Sequence, residues 1–381
     1  MDIRDFVCPS AELVGLGEPT HLEPAFGTVR NELVVQLVEN GFRSIVLETD
    51  RVAALVVNDF VQRGAGSLDA AMSHGFSHGL GDLAGTRQLV AWMRDYNDGR
   101  PADQQLAFHG FDLPTEMMSA PSPRRYLEHV RDYLALDLDV AGPAGDDELW
   151  SRSEAVLDPA MSIGATAAAD QLREIADELL LSLCTRAPEL IAATSRTEWF
   201  RARTYLGGGF DLLRYHRQAA RQLDRTARTS RMLAARDVLM AQHLLDIRAA
   251  EARRGATLVL AQNLHLQRNP ARWRLADMDL EWSPAGAVVA SLLGDRYVFV
   301  AGSLGHSQAL GLAEPPPDTY EGRLQRSVAG WGLIRAGDVP AGRTRTDVTP
   351  QQGYFPLDRA TLDGADVVLH ISAGTPPAPG V

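Results

Sequence analysis

The chain has 381 residues, 45% of them hydrophobic, and a formal net charge of −12, so it can bury a sizeable core and is too acidic to favour nucleic acid or an anionic membrane surface. It contains no lysine, which excludes a Schiff-base lysine, a pyridoxal-phosphate anchor and a P-loop. Two cysteines, Cys8 and Cys184, cannot build a disulfide framework or a cysteine zinc site, and the N-terminus MDIRDFVCPS lacks the basic and apolar regions of a signal peptide.

Six short apolar runs read as strands bounded by turn residues: ELVGLG near 12–17, SIVLET at 44–49, LAFHGFD at 106–112, TLVLAQN at 257–263, YVFVAGS at 297–303 and DVVLHIS at 366–372. Most are continuously apolar, as strands covered on both faces of a parallel sheet are. Pro24 is placed to open a helix that runs to Gly41 as a C-cap, and LAGTRQLVAWMRDYN reads as another amphipathic helix. Between about 121 and 254 the pattern is helical almost throughout, which predicts a helical insertion between the third and fourth strands. From about 308 to 364 Pro and Gly dominate and long loops are expected; the tail GTPPAPGV is expected to fray. The expectation is one α/β domain spanning 1–381, a central, mainly parallel sheet flanked by helices. No apolar run approaches the length of a membrane span, so a cytoplasmic protein without membrane or nucleic-acid partners is expected.

The ionisable residues fall at the strand ends. Glu18 and His21 follow the first strand in GLGEPTHLEP, Glu48 and Asp50 end the second, Asp112 the third, Asn263 and His265 the fourth, and Ser303 and His306 the fifth. In a parallel sheet these groups share the carboxyl edge, where ligands bind. His21 has the chemistry of a general base, with Glu18 to orient it; the competing reading is an N-terminal helix signal in which Glu18 and Glu23 complement the helix dipole. Glu48 reads equally as a solvated strand end, and Arg30, inside the first helix, as a surface ion-pair partner.

Other motifs are weaker. AGSLG at 301–305 resembles a nucleophile elbow at Ser303, but the following segment is a poor helix. GLGEPT has Thr20 where a dinucleotide fingerprint needs glycine. His74 and His78 are four apart, a metal spacing only on a helix, and their glycine-rich surroundings argue against one. YLGGGFDLL reads as a helix break.

Taken in order, GLGEPTHLEPAFGTVRNELVVQLVENGFRSIVLETD, LVAWMRDYN, LAFHGFDLP, RDVLMAQHLLDI, LVLAQNLHLQRN and GDRYVFVAGSLG resemble the erythromycin esterase family. The resemblance implies hydrolysis of a macrolide lactone without a serine nucleophile, His21 being the base on water. Glu18 and Glu48 then position the water or tune the base, and His265 polarises the carbonyl or protonates the leaving alcohol. Arg30 supports the carboxylates or binds substrate oxygens, and Asp112, Gln262 and Asn263 are expected on the substrate side. No cofactor is expected, a divalent metal on histidine and carboxylates being the alternative. Two departures stand out. Gln262 occupies a position where the family has histidine, and glutamine moves no proton at neutral pH. SHGLGDLAGTRQ replaces the family's acid and tryptophan pattern. The expected function is therefore ester or lactone hydrolysis on a macrolide-like natural product, in resistance or biosynthesis. A tailoring enzyme (cyclase, eliminase or isomerase) using the same His/Glu site, and a non-catalytic binding protein, are the alternatives.

Overall fold

Apolar residues along the strands alternate between two cores. Val14 and Leu16, Ile45 and Leu47, and Leu258 and Leu260 face one; Leu13, Val46, Val259 and Ala261 face the other. A sheet built this way is covered on both faces, and each fully buried leucine or valine contributes about 1.5–3 kcal/mol. The computed structural model, which describes residues 2–116 and 118–375, shows this arrangement. The strands are β1 (Leu13–Glu18), β2 (Ser44–Asp50), β3 (Ala107–Asp112), β4 (Thr257–Gln262), β5 (Ala271–Leu275), β6 (Met278–Trp282), β7 (Tyr297–His306), β8 (Trp331–Arg335) and β9 (Val367–Ala373). Seven of them form one sheet in the order β3-β2-β4-β1-β7-β9-β8. All neighbours are parallel except β8, which runs antiparallel to β9.

The first face is covered by the helices Pro24–Glu39, Ala54–Arg63 and Ala84–Asn97, the second by Arg225–Glu251 and Ala285–Leu293. Pro24 stands at the start of its helix, capped by the Glu23 side chain, and Gly41 follows the helix end at φ +94°. Between β3 and β4 the described residues form helices and no strand. The longest of them, Ala167–Thr185 and Arg196–Ala219, pack with Arg124–Leu134 around a third apolar core.

One expectation needs correction. Residues 207–209 do not break a helix: Arg196–Ala219 is continuous, and a Cβ on Gly209 would come within 2.7 Å of Leu127 Cδ2. Gly208 and Gly209 let the helix Arg124–Leu134 approach closely. Within the segment 308–364 the loops are interrupted by the short helices Tyr320–Gln325 and Arg359–Gly364 and the edge strand β8. The antiparallel hairpin β5–β6 is a further strand pair; its ARWRL and MDLEW segments alternate outward Arg272, Arg274, Asp279 and Glu281 with inward apolar residues, the period-2 pattern of a half-exposed strand. The part of the expected frayed tail beyond Thr375 lies outside the described residues. No helix among the described residues is long and apolar enough to cross a membrane.

Candidate functional site

Parallel pairing brings the carboxyl ends of β1, β2, β3 and β4 to one edge. Glu18 lies opposite Gln262, and Asp50 opposite Asp112. The β2–β3 register slips by one residue between Leu47 and Asp50, a bulge that re-aims Glu48. Gly110 permits it, because a Cβ there would lie 2.5 Å from the Thr49 carbonyl oxygen.

Glu48 is the hub of the site. It is buried, and its Oε2 accepts a hydrogen bond from the backbone N–H of Gln262 at 2.8 Å. That oxygen lies 3.5 Å from His21 Nε2. The other, Oε1, lies 3.2 Å from His265 Nε2 and 3.4 Å from Arg236 Nη2.

His21 closes onto Glu18, with Nδ1 and Oε1 2.6 Å apart, and keeps 24% of its side chain exposed. Burial opposes its charge, but Glu48 and the hydrogen-bonded Glu18 outweigh that and push its pKa up to about 10. Burial also works against the Glu48 carboxylate, yet His265 and His21 hold it well below the usual range.

His265 is set more deeply. Its Nδ1 faces Asp237 Oδ1 at 2.8 Å; Asp237 in turn accepts from Trp282 Nε1 at 2.6 Å and from the Ala285 backbone at 2.9 Å. Against the cost of burial, Asp237 and Glu48 push the His265 pKa up to about 10.

The second branch of the site runs from Glu48 through Arg236 to Asp112. Arg236 Nε donates to Asp112 Oδ1 at 2.9 Å and Nη2 to Oδ2. The Asp112 carboxyl, fully buried, is kept well below its ordinary range despite that burial, by Arg236 and His78. His78 bonds the same carboxylate through Nε2 at 2.8 Å, and its Nδ1 lies 3.1 Å from Glu116 Oε2.

Glu18, His21, Glu48, His265 and Asp112 thus converge, with the Gln262 backbone among them. Arg30 is buried; burial lowers its pKa, Glu18 works against that, and its Nε has no hydrogen-bond partner among the described residues. Asn263 faces away from this cluster. Its amide exchanges two hydrogen bonds with the Gly302 backbone, at 2.8 and 2.9 Å, stapling the end of β4 to β7. Ser303 is fully buried inside β7 and bonded to His370 Nδ1 at 2.9 Å, and His306 pairs with Glu314 at 2.7 Å. An elbow serine would stand exposed on a sharp turn.

Sequence reasoning gave no role to Arg236, Asp237, Trp282 or His78. Arg236 and Asp237 lie in the RDVLMA segment, so their signal was present. The glycines around His78 argue against a metal pair on a helix, and Gly79, next to it, is left-handed at φ +70°. On the turn after β1, the donors open to a metal are Glu18, His21 and, from β2, Glu48. These donors are paired with one another, and among the described residues no group of three or more His, Cys, Asp or Glu is arranged to hold a metal ion.

The sequence model of the erythromycin esterase family matches residues 37–374. The chain belongs to the erythromycin esterase family. Membership supports a hydrolase-like function in general terms. The match begins after the GLGEPTHLEP turn, so Glu18, His21 and Arg30 are located by the fold and not by the match. Comparison with curated proteins gives no match. Among solved structures, a histidine-to-asparagine variant of the erythromycin esterase EreC, in its open conformation, is similar over 98% of this chain and 95% of its own, at 19% identity and a TM-score of 0.68. A Bacillus cereus protein covers 98% and 91% at 18% identity and a TM-score of 0.67. A succinoglycan biosynthesis protein covers 97% and 89% at 19% and 0.65. At these identities the likeness establishes the erythromycin-esterase-like α/β fold.

Proposed function

We propose that this erythromycin-esterase family member opens an ester or lactone of a macrolide-like, largely apolar natural product, using water activated by His21. The observation that carries the reading is the Glu18–His21–Glu48 line: a partly exposed imidazole with a carboxylate at each nitrogen, at the carboxyl edge of a parallel sheet. Glu18 fixes the ring. Because the two carboxylates raise its pKa, the neutral form that accepts a proton from water grows as pH rises towards 10. The hydroxide then adds to the carbonyl carbon, and Arg30, which acts on Glu18 and whose Nε has no hydrogen-bond partner among the described residues, supplies positive charge for the oxyanion. Glu48, held by the Gln262 backbone, keeps His21 and His265 in register.

The test is mass spectrometry of macrolides and other lactones after incubation in heavy-oxygen water, comparing wild type with His21→Ala. One labelled oxygen in the product, dependent on His21, is expected. A product of unchanged mass that still depends on His21 would replace hydrolysis with the second reading, a cyclase or isomerase moving a proton within the substrate. That reading is favoured by Gln262, which occupies the strand end without a proton to give. Tight binding with no product would leave a non-catalytic binding protein.

A further inference from the structure

Several charged members of the site have an apolar neighbour that the core leaves partly uncovered. Leu22, next to His21, is 58% exposed. Leu264, next to His265, and Leu233, one helical turn before Arg236 and Asp237, are partly exposed. Both pack on the apolar cluster of the β5–β6 hairpin, and so does Trp273. Trp273 meets Phe355 edge to face, with ring centroids 5.9 Å apart. The Phe355 N–H donates to the Pro19 carbonyl at 3.0 Å, in the turn between Glu18 and His21. Gly353, two residues earlier, lies against Leu22: its φ is +57°, and a Cβ there would come within 3.0 Å of Leu22 Cδ1.

These contacts make one continuous path. It begins at Pro19, just past β1, and ends at Leu264, just past β4. The two strands are neighbours, with Glu18 opposite Gln262. At those same strand ends His21 bonds Glu18, and Glu48 holds the Gln262 N–H. The path is therefore an apolar wall beside the base. The two tryptophans of the hairpin divide the work. Trp282 is buried, with its N–H on Asp237 at 2.6 Å, and belongs to the frame of His265. Trp273 is on the same face, stays partly exposed, and its indole N–H has no partner among the described residues. Apolar side chains gathered in water beside a reactive group are unfavourable until a ligand covers them. Arg272 and Arg274 on the outer face are paired with Glu281 and Asp279, so the hairpin offers hydrocarbon rather than a free cation.

We propose that Leu22, Leu233, Leu264, Trp273 and Phe355 form the subsite that sets substrate specificity, taking the hydrocarbon that flanks the ester while His21 works at the carbonyl. The inference rests on the hydrolase reading of the same site. These residues touch no reacting atom; they hold the substrate and decide which ester is held. Each methylene they cover adds about four-fold to affinity. A chain six carbons longer therefore gains about tenfold or more even where the wall covers only part of it. The Trp273 N–H gives the wall one donor for a substrate oxygen, which orients an otherwise featureless chain. The substrate class is an ester with a long or cyclic hydrocarbon on at least one side, and short esters are poor substrates.

The test measures kcat/KM on two pairs of esters: 4-nitrophenyl octanoate against acetate, which varies the acyl side, and octyl against ethyl acetate, which varies the alcohol side. Wild type is expected to favour the longer member of at least one pair by about tenfold or more. Trp273→Leu lowers that preference by about tenfold and Leu22→Ser by about four-fold, through KM rather than kcat. His21→Ala lowers turnover of all four esters alike. A preference unmoved in variants that unfold at the wild-type temperature, or a wild type that favours the longer member of neither pair, overturns the subsite and leaves the hydrolase reading standing. If Trp273→Leu does not fold, Leu22→Ser, a change at an exposed side chain, decides alone. Wild-type protein that hydrolyses none of the four overturns the hydrolase reading. Titration with 2-decanone, a ketone that water cannot cleave, then decides the wall: binding weakened about tenfold in Trp273→Leu, or about four-fold in Leu22→Ser, keeps it, and equal or absent binding overturns it as well.

Discussion

His21 and His265 share one carboxylate, Glu48, and both are pushed up to about 10, yet their surroundings assign them different work. His21 sits on a turn after β1, with 24% of its side chain in reach of solvent and its second nitrogen on Glu18. His265 sits in the turn after β4, 6% exposed, with its second nitrogen on an aspartate that is itself tied to Trp282 and Ala285. What separates a group that can meet a substrate from one that holds the frame is not its charge or its pKa. It is how many of its contacts are themselves fixed and buried.

Removing one carboxylate partner from each histidine breaks or sharpens this contrast. Asp237→Ala is expected to have the largest effect on stability, a loss of about 3 kcal/mol, because it leaves His265, Trp282 Nε1 and the Ala285 N–H unpaired in a buried place. Chemical denaturation of this variant beside His21→Ala, which should lose turnover but less than about 1 kcal/mol, measures the contrast; equal destabilisation by the two would erase it. A smaller, kinetic effect is expected from Glu18→Gln. Loss of that charge lowers the His21 pKa, so the rising limb of the pH–rate profile moves to lower pH by about one unit. A limb that stays in place shows that another group is the base.

A third test is the pH dependence of stability. His21 and His265 have folded pKa values above their unfolded ones, so their contribution is complete below about 6.5 and is lost as pH rises through 10. Glu48 is shifted downward, so its contribution is present above the ordinary carboxylate range and is lost only as pH falls below it. Thermal unfolding should therefore weaken steadily between pH 7 and 10, and Glu48→Gln should flatten that slope. An unchanged slope would mean that the two histidines are not held by Glu48.

Much of this was legible in the chain itself. Continuous apolar runs bounded by turn residues located the strands of the parallel sheet, and the placement of Glu18, His21, Glu48, Asp112 and His265 just past strand ends put them on one edge. Of the antiparallel pieces, β8 was not legible, and the β5–β6 hairpin carried a period-2 alternation that is short. Trp331–Arg335 lies in a Pro- and Gly-rich setting at the sheet margin, and the β5–β6 hairpin alternates charge with burial over only five residues a side. Asn263 looked like a site residue by position, but its side chain is spent on the Gly302 backbone.

By itself, the sequence determined the strands of the parallel sheet, the shared edge and the residue types available there, because strand period and turn chemistry are local properties. Only the tertiary structure decided which charges meet. Arg236 reaches Asp112 across 124 residues, and Glu48 reaches the Gln262 backbone across 214. Periodicity tells that Arg236 and Asp237 lie on a helix, but their partners depend on how that helix crosses the sheet and on a one-residue bulge in β2. Both are set by packing between distant segments, and that is why the histidine that reaches solvent and the one that does not could be told apart only in the folded chain.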